Sequence, residues 1–263
     1  MTQYDLAGRC ALVTGGARGL GAGMAQALTA AGARVMIADV LKDVGEQTAA
    51  GLAGGGFVEL DVTDDAAWEN AVAHTVSELG GLDIVVNNAG VEVTQLIVDT
   101  EPDDVRRMLD VNILGTMLGV KHGLRAMRPG GAAGNGGTII NVASVAATIA
   151  FPGIAGYSAT KSAVDRLTRV GAMESGKFGY GVRVNCIYPG LVATDMGVKL
   201  AVETAGLGLF ESPDAAVAAV VGLTPSGRLG EVADIADVVV FLASDASRFV
   251  NGVGLPVDGG MGM

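Results

Sequence analysis

The chain has 263 residues, half of them hydrophobic and 17% charged, with a formal net charge of −11. That length suits one large α/β domain with a sizeable core, and the composition argues against disorder. The acidic balance, with no Lys/Arg run, excludes a nucleic-acid footprint and adhesion to an anionic membrane, and no apolar run reaches membrane-spanning length.

In chain order, residues 10–13 read as a buried strand, 21–31 as a helix and 34–38 as a second strand, with Gly32 as the stop signal between them. Residues 43–52 read as a short helix, 57–60 as a third strand, 66–79 as a helix and 83–86 as a fourth strand. Residues 102–127 read as one long helix with Pro102 in its first turn. A glycine-rich loop over 130–137 leads to a fifth strand at 138–142. A long helix over 154–178, a sixth strand at 182–187, a helix at 232–243 and a last strand at 254–257 complete the pattern. Strands alternating with helices build right-handed βαβ units and a parallel sheet covered on both faces, an α/β fold. Residues 191–225 break the rhythm and read as a substrate loop or lid.

Cys10 and Cys186 lie in separate apolar runs and read as buried free thiols. His74 and His122 sit in unrelated helical patterns, and no metal-ligand spacing occurs. The polar opening (residues 1–5) and the short apolar run over 9–13 do not make a secretory signal, so the cytoplasm is the expected compartment.

Thr14, Gly15, Gly16, Ala17, Arg18, Gly19, Leu20 and Gly21 follow the first strand and open the first helix. Glycines there let the backbone turn tightly and approach a pyrophosphate, while the helix N-terminus offers unpaired N–H groups and positive dipole charge. Asp39 ends the second strand, where a carboxylate accepts hydrogen bonds from both adenine-ribose hydroxyls and repels a 2′-phosphate. Arg18 pulls the other way, because it could pair with such a phosphate. Asp39 decides the expectation: NAD(H) over NADP(H), the alternative being that Asp39 is only a solvated strand-end acid. Asp61 and Val62 follow the third strand, with Asp61 placed to meet the adenine amino group. Asn88, Ala89 and Gly90 end the fourth, and the last two are small enough for the backbone to lie along the ribose.

Tyr157 and Lys161 are four apart on one helix face. A cation within ~4–6 Å stabilises a phenolate, so Lys161 and the positive nicotinamide ring of NAD⁺ are expected to lower the Tyr157 pKa and make the phenol a proton donor and acceptor. Ser144, at the end of the fifth strand, is placed to hold a substrate oxygen. Asn112, inside the long helix, is expected to disturb the local helix bonding and to hold a water that passes the proton to Lys161. Tyr180 and Tyr188 lack such a lysine and read as packing residues.

Taken together, these residues resemble the short-chain dehydrogenase/reductase family over about residues 6–260. The family's glycine motif is matched by Thr14 to Gly21, its Asn-Asn-Ala-Gly element by Asn87 to Gly90, and its tetrad by Asn112, Ser144, Tyr157 and Lys161. Pro189 and Gly190 match the turn after its sixth strand. The resemblance implies that the Val192 backbone and the Thr194 hydroxyl hold the nicotinamide carboxamide. It further implies a single doubly wound, Rossmann-type domain over residues 1–263, a seven-stranded sheet in the order 3-2-1-4-5-6-7, and a homotetramer packed through the two long helices and the C-terminal region.

Met196, Val198, Leu200, Leu207, Leu209 and Phe210 suit an apolar small-molecule alcohol or ketone (cyclic, aryl or steroid), or else only pack the lid onto the body. The chain looks similar to bacterial NAD-linked hydroxysteroid and secondary-alcohol dehydrogenases. The runner-up is a 3-oxoacyl-thioester reductase that docks an acidic carrier protein, a role that suits a chain of net charge −11 poorly. A dinucleotide-sensing regulator without turnover commonly lacks part of the tetrad. A sugar-nucleotide epimerase normally needs a longer C-terminal substrate domain.

Overall fold

The computed structural model describes residues 4–263; the first three residues of the polar opening lie outside that range. Seven parallel strands form one sheet in the order β3-β2-β1-β4-β5-β6-β7. They are β1 (Cys10–Thr14), β2 (Arg34–Asp39), β3 (Gly56–Glu59), β4 (Ile84–Asn87), β5 (Gly137–Val142), β6 (Val182–Pro189) and β7 (Gly254–Val257). In β1, Val13 pairs with Ile37 of β2 and with Val86 of β4, so the carboxyl ends of the three strands are level. The strand order reverses between β1 and β4, and this is where a parallel sheet opens a crevice.

Period-2 alternation sends neighbouring strand residues to opposite cores. Val13, Ile37, Val86 and Ile140 meet Met24 and Leu28 of α1 (Gly19–Ala30) and Ile235 and Val239 of α9 (Val232–Ala243) on one side. On the other side Leu12, Met36, Val85 and Ile139 meet Trp68 of α3 (Asp65–Leu79) and Leu118 and Met127 of α5 (Gly115–Met127). Trp68 is fully buried, and its indole N–H donates to the Val62 carbonyl at 3.0 Å, which pins the loop carrying Asp61 and Val62. Asp64 caps α3 by accepting from the Ala66 and Ala67 N–H groups. α2 (Lys42–Ala49) and α6 (Ala155–Lys177) complete the expected helices.

Two expectations need correction. The long helix expected over 102–127 is three pieces: α4 (Pro102–Met108), a wider π turn (Leu109–Leu114) and α5. Asn112 lies inside the π turn with its side chain turned to tertiary partners, and the Thr116 hydroxyl donates to its carbonyl at 2.8 Å. Side chains inserted into the ladder cause this kind of local widening. The stretch 191–225, expected as a loop, is mostly helical: α7 (Asp195–Gly206) and α8 (Pro213–Leu223). Thr194 and Ser212 cap these helices by accepting N–H groups from Gly197 and Ala215, and Pro213 takes the first position of α8. No helix among the described residues is long and apolar enough to cross a membrane.

Candidate active site

The glycine turn is tied to β4 by side chains rather than by its own bonds. The Thr14 hydroxyl accepts the Asn88 and Ala89 N–H groups, each at 3.1 Å. The Asn88 amide donates to the carbonyls of Thr14 (2.9 Å) and Gly15 (3.1 Å). A Cβ on Gly15 would lie 2.9 Å from the Ala89 backbone, and one on Gly21 only 2.0 Å from the Gly15 carbonyl. Gly19 has φ +57 and open space before it. No side chain caps α1, and no acid stands in its first turn. The free N–H groups and dipole of that helix end therefore remain available to an anion.

One cleft of about 790 Å³ runs over the carboxyl ends of the strands. Gly15, Arg18, Gly19, Leu20 and Gly21 line one end of it with Asp39, Asp61 and Val62. Asn88, Ala89 and Gly90 line its middle. Ser144, Tyr157, Lys161, Pro189, Gly190, Val192 and Thr194 line the rest. The Asp39 carboxylate accepts the Ala17 and Leu41 N–H groups, both at 3.1 Å, so it is fixed at the strand end. The Arg18 guanidinium stands 3.8 Å from Asp195 at the start of α7. Asp61 is engaged by the Thr63 N–H and hydroxyl. A Cβ on Gly190 would come within 2.9 Å of the Asp258 backbone, so the close pass of the chain after β7 needs glycine there.

Asn112 does not line the cleft. It is fully buried, and its side chain is occupied: Oδ1 accepts the Val91 N–H at 2.8 Å, while Nδ2 donates to the Val91 carbonyl (2.9 Å) and the Thr160 hydroxyl (3.0 Å). It clamps the chain leaving β4 to α6. A Cβ on Gly90 would sit 3.3 Å from Asn112 Oδ1 and 3.5 Å from Lys161 Nζ, so this glycine leaves a gap between them.

Lys161 is 4% exposed and donates from Nζ to the Val142 carbonyl at 2.8 Å, with its ammonium 5.5 Å from the Tyr157 ring centre. Ser144 starts the short turn Val145–Ala147, and its hydroxyl accepts the Ala146 N–H at 3.1 Å. Of the two cations expected to lower the Tyr157 pKa, Lys161 is not among the groups that shift it. Burial pushes the phenol up to about 12, the Ser144 hydroxyl opposes that, and the charge of Glu92 adds to it. Lys161 is itself pushed down to about 8 by burial. Desolvation is the largest cause of both shifts.

Residues 15–262 match the family model described as enoyl-(acyl carrier protein) reductase, a model of short-chain dehydrogenases and reductases. The chain belongs to the short-chain dehydrogenase/reductase family. It is 39% identical to the trans-4-hydroxycyclohexanecarboxylate dehydrogenase of Sinomonas cyclohexanicum, over 97% of this chain and 93% of that protein. It is also 39% identical to a 3-alpha-(or 20-beta)-hydroxysteroid dehydrogenase of Mycobacterium tuberculosis (strain ATCC 25618 / H37Rv), over 97% of this chain and 90% of the relative. The solved gluconate 5-dehydrogenase of Burkholderia cenocepacia J2315, in complex with NADP and tartrate, superposes with a TM-score of 0.87 at 34% identity, covering 98% of this chain and 97% of its own.

Against that family background, the apolar set read from residues 196–210 divides. Met196 and Leu200 line the cleft. Val198 is exposed, Phe210 stacks on Phe151 at 6.2 Å, and Leu207 and Leu209 pack beside Gly153. Four charged cleft residues escaped the sequence reading: Glu92, Arg107, Asp195 and Lys199. The signal for Glu92 was present: it is a lone acid between Val91 and Val93, directly after Asn87–Gly90. Cys10 and Cys186 are buried free thiols, as expected. Tyr188, read as packing, also donates its hydroxyl to Asp165 of α6.

Proposed function

We propose that this short-chain dehydrogenase/reductase exchanges a hydride between NAD(H) and the carbinol carbon of an apolar, ring-bearing secondary alcohol or its ketone, with Tyr157 as acid and base. The observation that carries this reading is the convergence of Ser144, Tyr157 and Lys161 on one cleft whose other end is an uncapped helix N-terminus beside Asp39. The glycine turn, the small residues at the end of β4 and the open amides of α1 fit a dinucleotide. When bound, the nicotinamide supplies or takes the hydride and, when oxidised, presents a positive ring.

In this reading Ser144 orients the substrate oxygen and Tyr157 gives or takes its proton. Lys161 holds positive charge next to the phenol, and Asn112 ties the Val91 backbone to the Thr160 hydroxyl, one residue before Lys161. Pro189, Gly190, Val192 and Thr194 form the wall against which the carboxamide rests. Asp39 favours NAD(H), because a 2′-phosphate would meet a carboxylate already fixed by two amides. Arg18, the counter-argument, is drawn towards Asp195. The gluconate 5-dehydrogenase complex holds NADP; the reading for this chain rests on Asp39 at the end of β2. The apolar lining from Phe151, Ile154, Met196 and Leu200, and the ring alcohols in the names of the two relatives, support a cyclic substrate.

We further infer one catalytic domain and a homotetramer of cytoplasmic location. The exposed apolar side chains Met117 on α5 and Val170, Met173 and Phe178 on and after α6 supply faces for assembly. NADH-fluorescence turnover over cyclohexanone, an aryl ketone, a 3-ketosteroid, a 3-oxoacyl thioester and pyruvate tests the function. Ring ketones should lead. Preference for the thioester would transfer the assignment to acyl chemistry, and preference for pyruvate would contradict the apolar site. With the best ring substrate, NAD(H) should exceed NADP(H) in kcat/KM by at least about tenfold, or ~1.4 kcal/mol, and Asp39→Ala should narrow the gap. Equal efficiencies in the wild-type enzyme would refute the cofactor assignment.

A further inference from the structure

The chemical end of the cleft holds a carboxyl group that neither the hydride exchange nor the dinucleotide uses. Glu92 lies two residues beyond Gly90, lines the cleft, and has a side chain only 3% exposed. Its Oε1 accepts the Thr94 hydroxyl at 2.7 Å. Its Oε2 is buried and has no hydrogen-bond partner. The nearest cation, Lys199 of α7, stands 3.7 Å from Oε2 and spends a donor on the Glu92 backbone carbonyl at 3.0 Å.

A buried acceptor left without a donor is costly, so a native site that keeps one open calls for an occupant. The chemistry of the surroundings narrows what that occupant is. Lys199 is shared with Glu203 at 3.5 Å, and Glu203 Oε2 is also buried without a partner. Two carboxyl groups face one ammonium, and burial raises the Glu92 pKa, so the cluster disfavours a further anion. The adjoining wall, with Val93, Phe151 and Leu200, is apolar and offers no donor of its own. Glu92 and Tyr157 line the same cleft.

We propose that Glu92 determines substrate specificity: its free Oε2 accepts a hydrogen bond from a second hydroxyl of the substrate, and the preferred substrate is a ring diol. One hydroxyl is oxidised at Tyr157 while the other, across the ring, donates to Glu92. This rests on the hydride-exchange reading above. A site built to bond a hydroxyl rejects the analogue that lacks it far more strongly than an apolar pocket rejects a missing methylene.

The test compares cyclohexane-1,4-diol, cyclohexanol and 4-hydroxycyclohexanecarboxylate as substrates for the wild-type enzyme and for Glu92→Met and Glu92→Gln. The wild type should favour the diol over cyclohexanol by about tenfold or more in kcat/KM, expressed mainly in KM, and should use the carboxylate least. Glu92→Met should bring the diol-to-cyclohexanol ratio towards one. Glu92→Gln, which keeps the shape and removes the charge, should raise the carboxylate relative to cyclohexanol and serves if the Met variant does not fold. A wild type that treats diol and monol alike or prefers the carboxylate, a Met variant that keeps the diol preference, or a Gln variant that leaves the carboxylate no better relative to cyclohexanol, would overturn the proposal. If no alcohol is turned over, the oxidoreductase reading fails instead. Equilibrium binding of the same three compounds to the NAD-loaded protein then decides on Glu92 alone, with tighter diol binding that is lost in Glu92→Met supporting it and equal binding refuting it.

Discussion

At the scale of the residue, the site joins two groups whose protonation burial opposes in opposite senses. Lys161 gives up its proton in the folded chain near pH 8, against 10.5 for the ordinary amine, because its ammonium is desolvated. Between those values the unfolded chain binds the extra proton, so the contribution of this group to stability is full above pH 10.5. It falls as pH drops towards about 8 and stays reduced below that. Lys161→Met should therefore gain most in Tm relative to wild type at pH 7, and the difference should shrink as pH rises from 8 to 10.5. A difference independent of pH across that window would mean that Lys161 titrates normally. Tyr157 is held up at about 12 without cofactor, yet alcohol oxidation requires the phenolate. With saturating NAD⁺, the oxidation rate should rise with pH through a midpoint below the ordinary phenol value of 10, and a midpoint near 12 would show that neighbouring positive charge does not reach the phenol. The Tyr157–Lys161 pair was legible in sequence because one helical turn sets its spacing. Its protonation behaviour was not legible, because that depends on what α6 is buried against.

At the scale of the element, glycine decides how closely the helices approach the sheet. A Cβ on Gly119 of α5 would lie 2.0 Å from Asn87 Oδ1 and 2.8 Å from the Trp68 ring, where nothing yields cheaply. Gly119→Ala should lower stability by about 1–3 kcal/mol, read as a lower denaturant midpoint, whereas an unchanged midpoint would deny the close packing. The break between α4 and α5 was foreshadowed by Asn112, but its form was not: the π turn exists because the Asn112 amide bonds to Val91 and Thr160, both distant in sequence. In the segment after β6 the cap signals of Thr194 and of Ser212 with Pro213 were readable. The long apolar Ala/Gly run masked them, since such a run packs equally well as loop or helix. Phe210 supports Phe151 from behind and does not touch the cleft. Phe210→Ala should thus raise KM for bulky ring ketones without changing NADH affinity. Loss of NADH binding in that variant would place Phe210 in the cofactor site.

At the scale of the whole molecule, the parallel sheet follows from the βαβ alternation, whereas its strand order β3-β2-β1-β4-β5-β6-β7 was legible only through the family resemblance, because alternation alone does not fix which strands are neighbours. Subunit contacts carry no such periodic mark; the proposed assembly rests on exposed apolar side chains such as Met173 (75%) and Phe178 (64%). Wild-type protein should sediment as a tetramer and Met173→Glu as a smaller species, whereas a monomeric wild type would refute the assembly. The central claim, that Tyr157 moves the proton while the opposite end of the cleft holds the dinucleotide, is tested most directly in Tyr157→Phe. Turnover of a ring ketone and NADH binding by fluorescence are measured on the same preparation. The account predicts kcat lower by ~10²-fold or more with NADH affinity retained. Near-normal turnover in a folded Tyr157→Phe protein would contradict it.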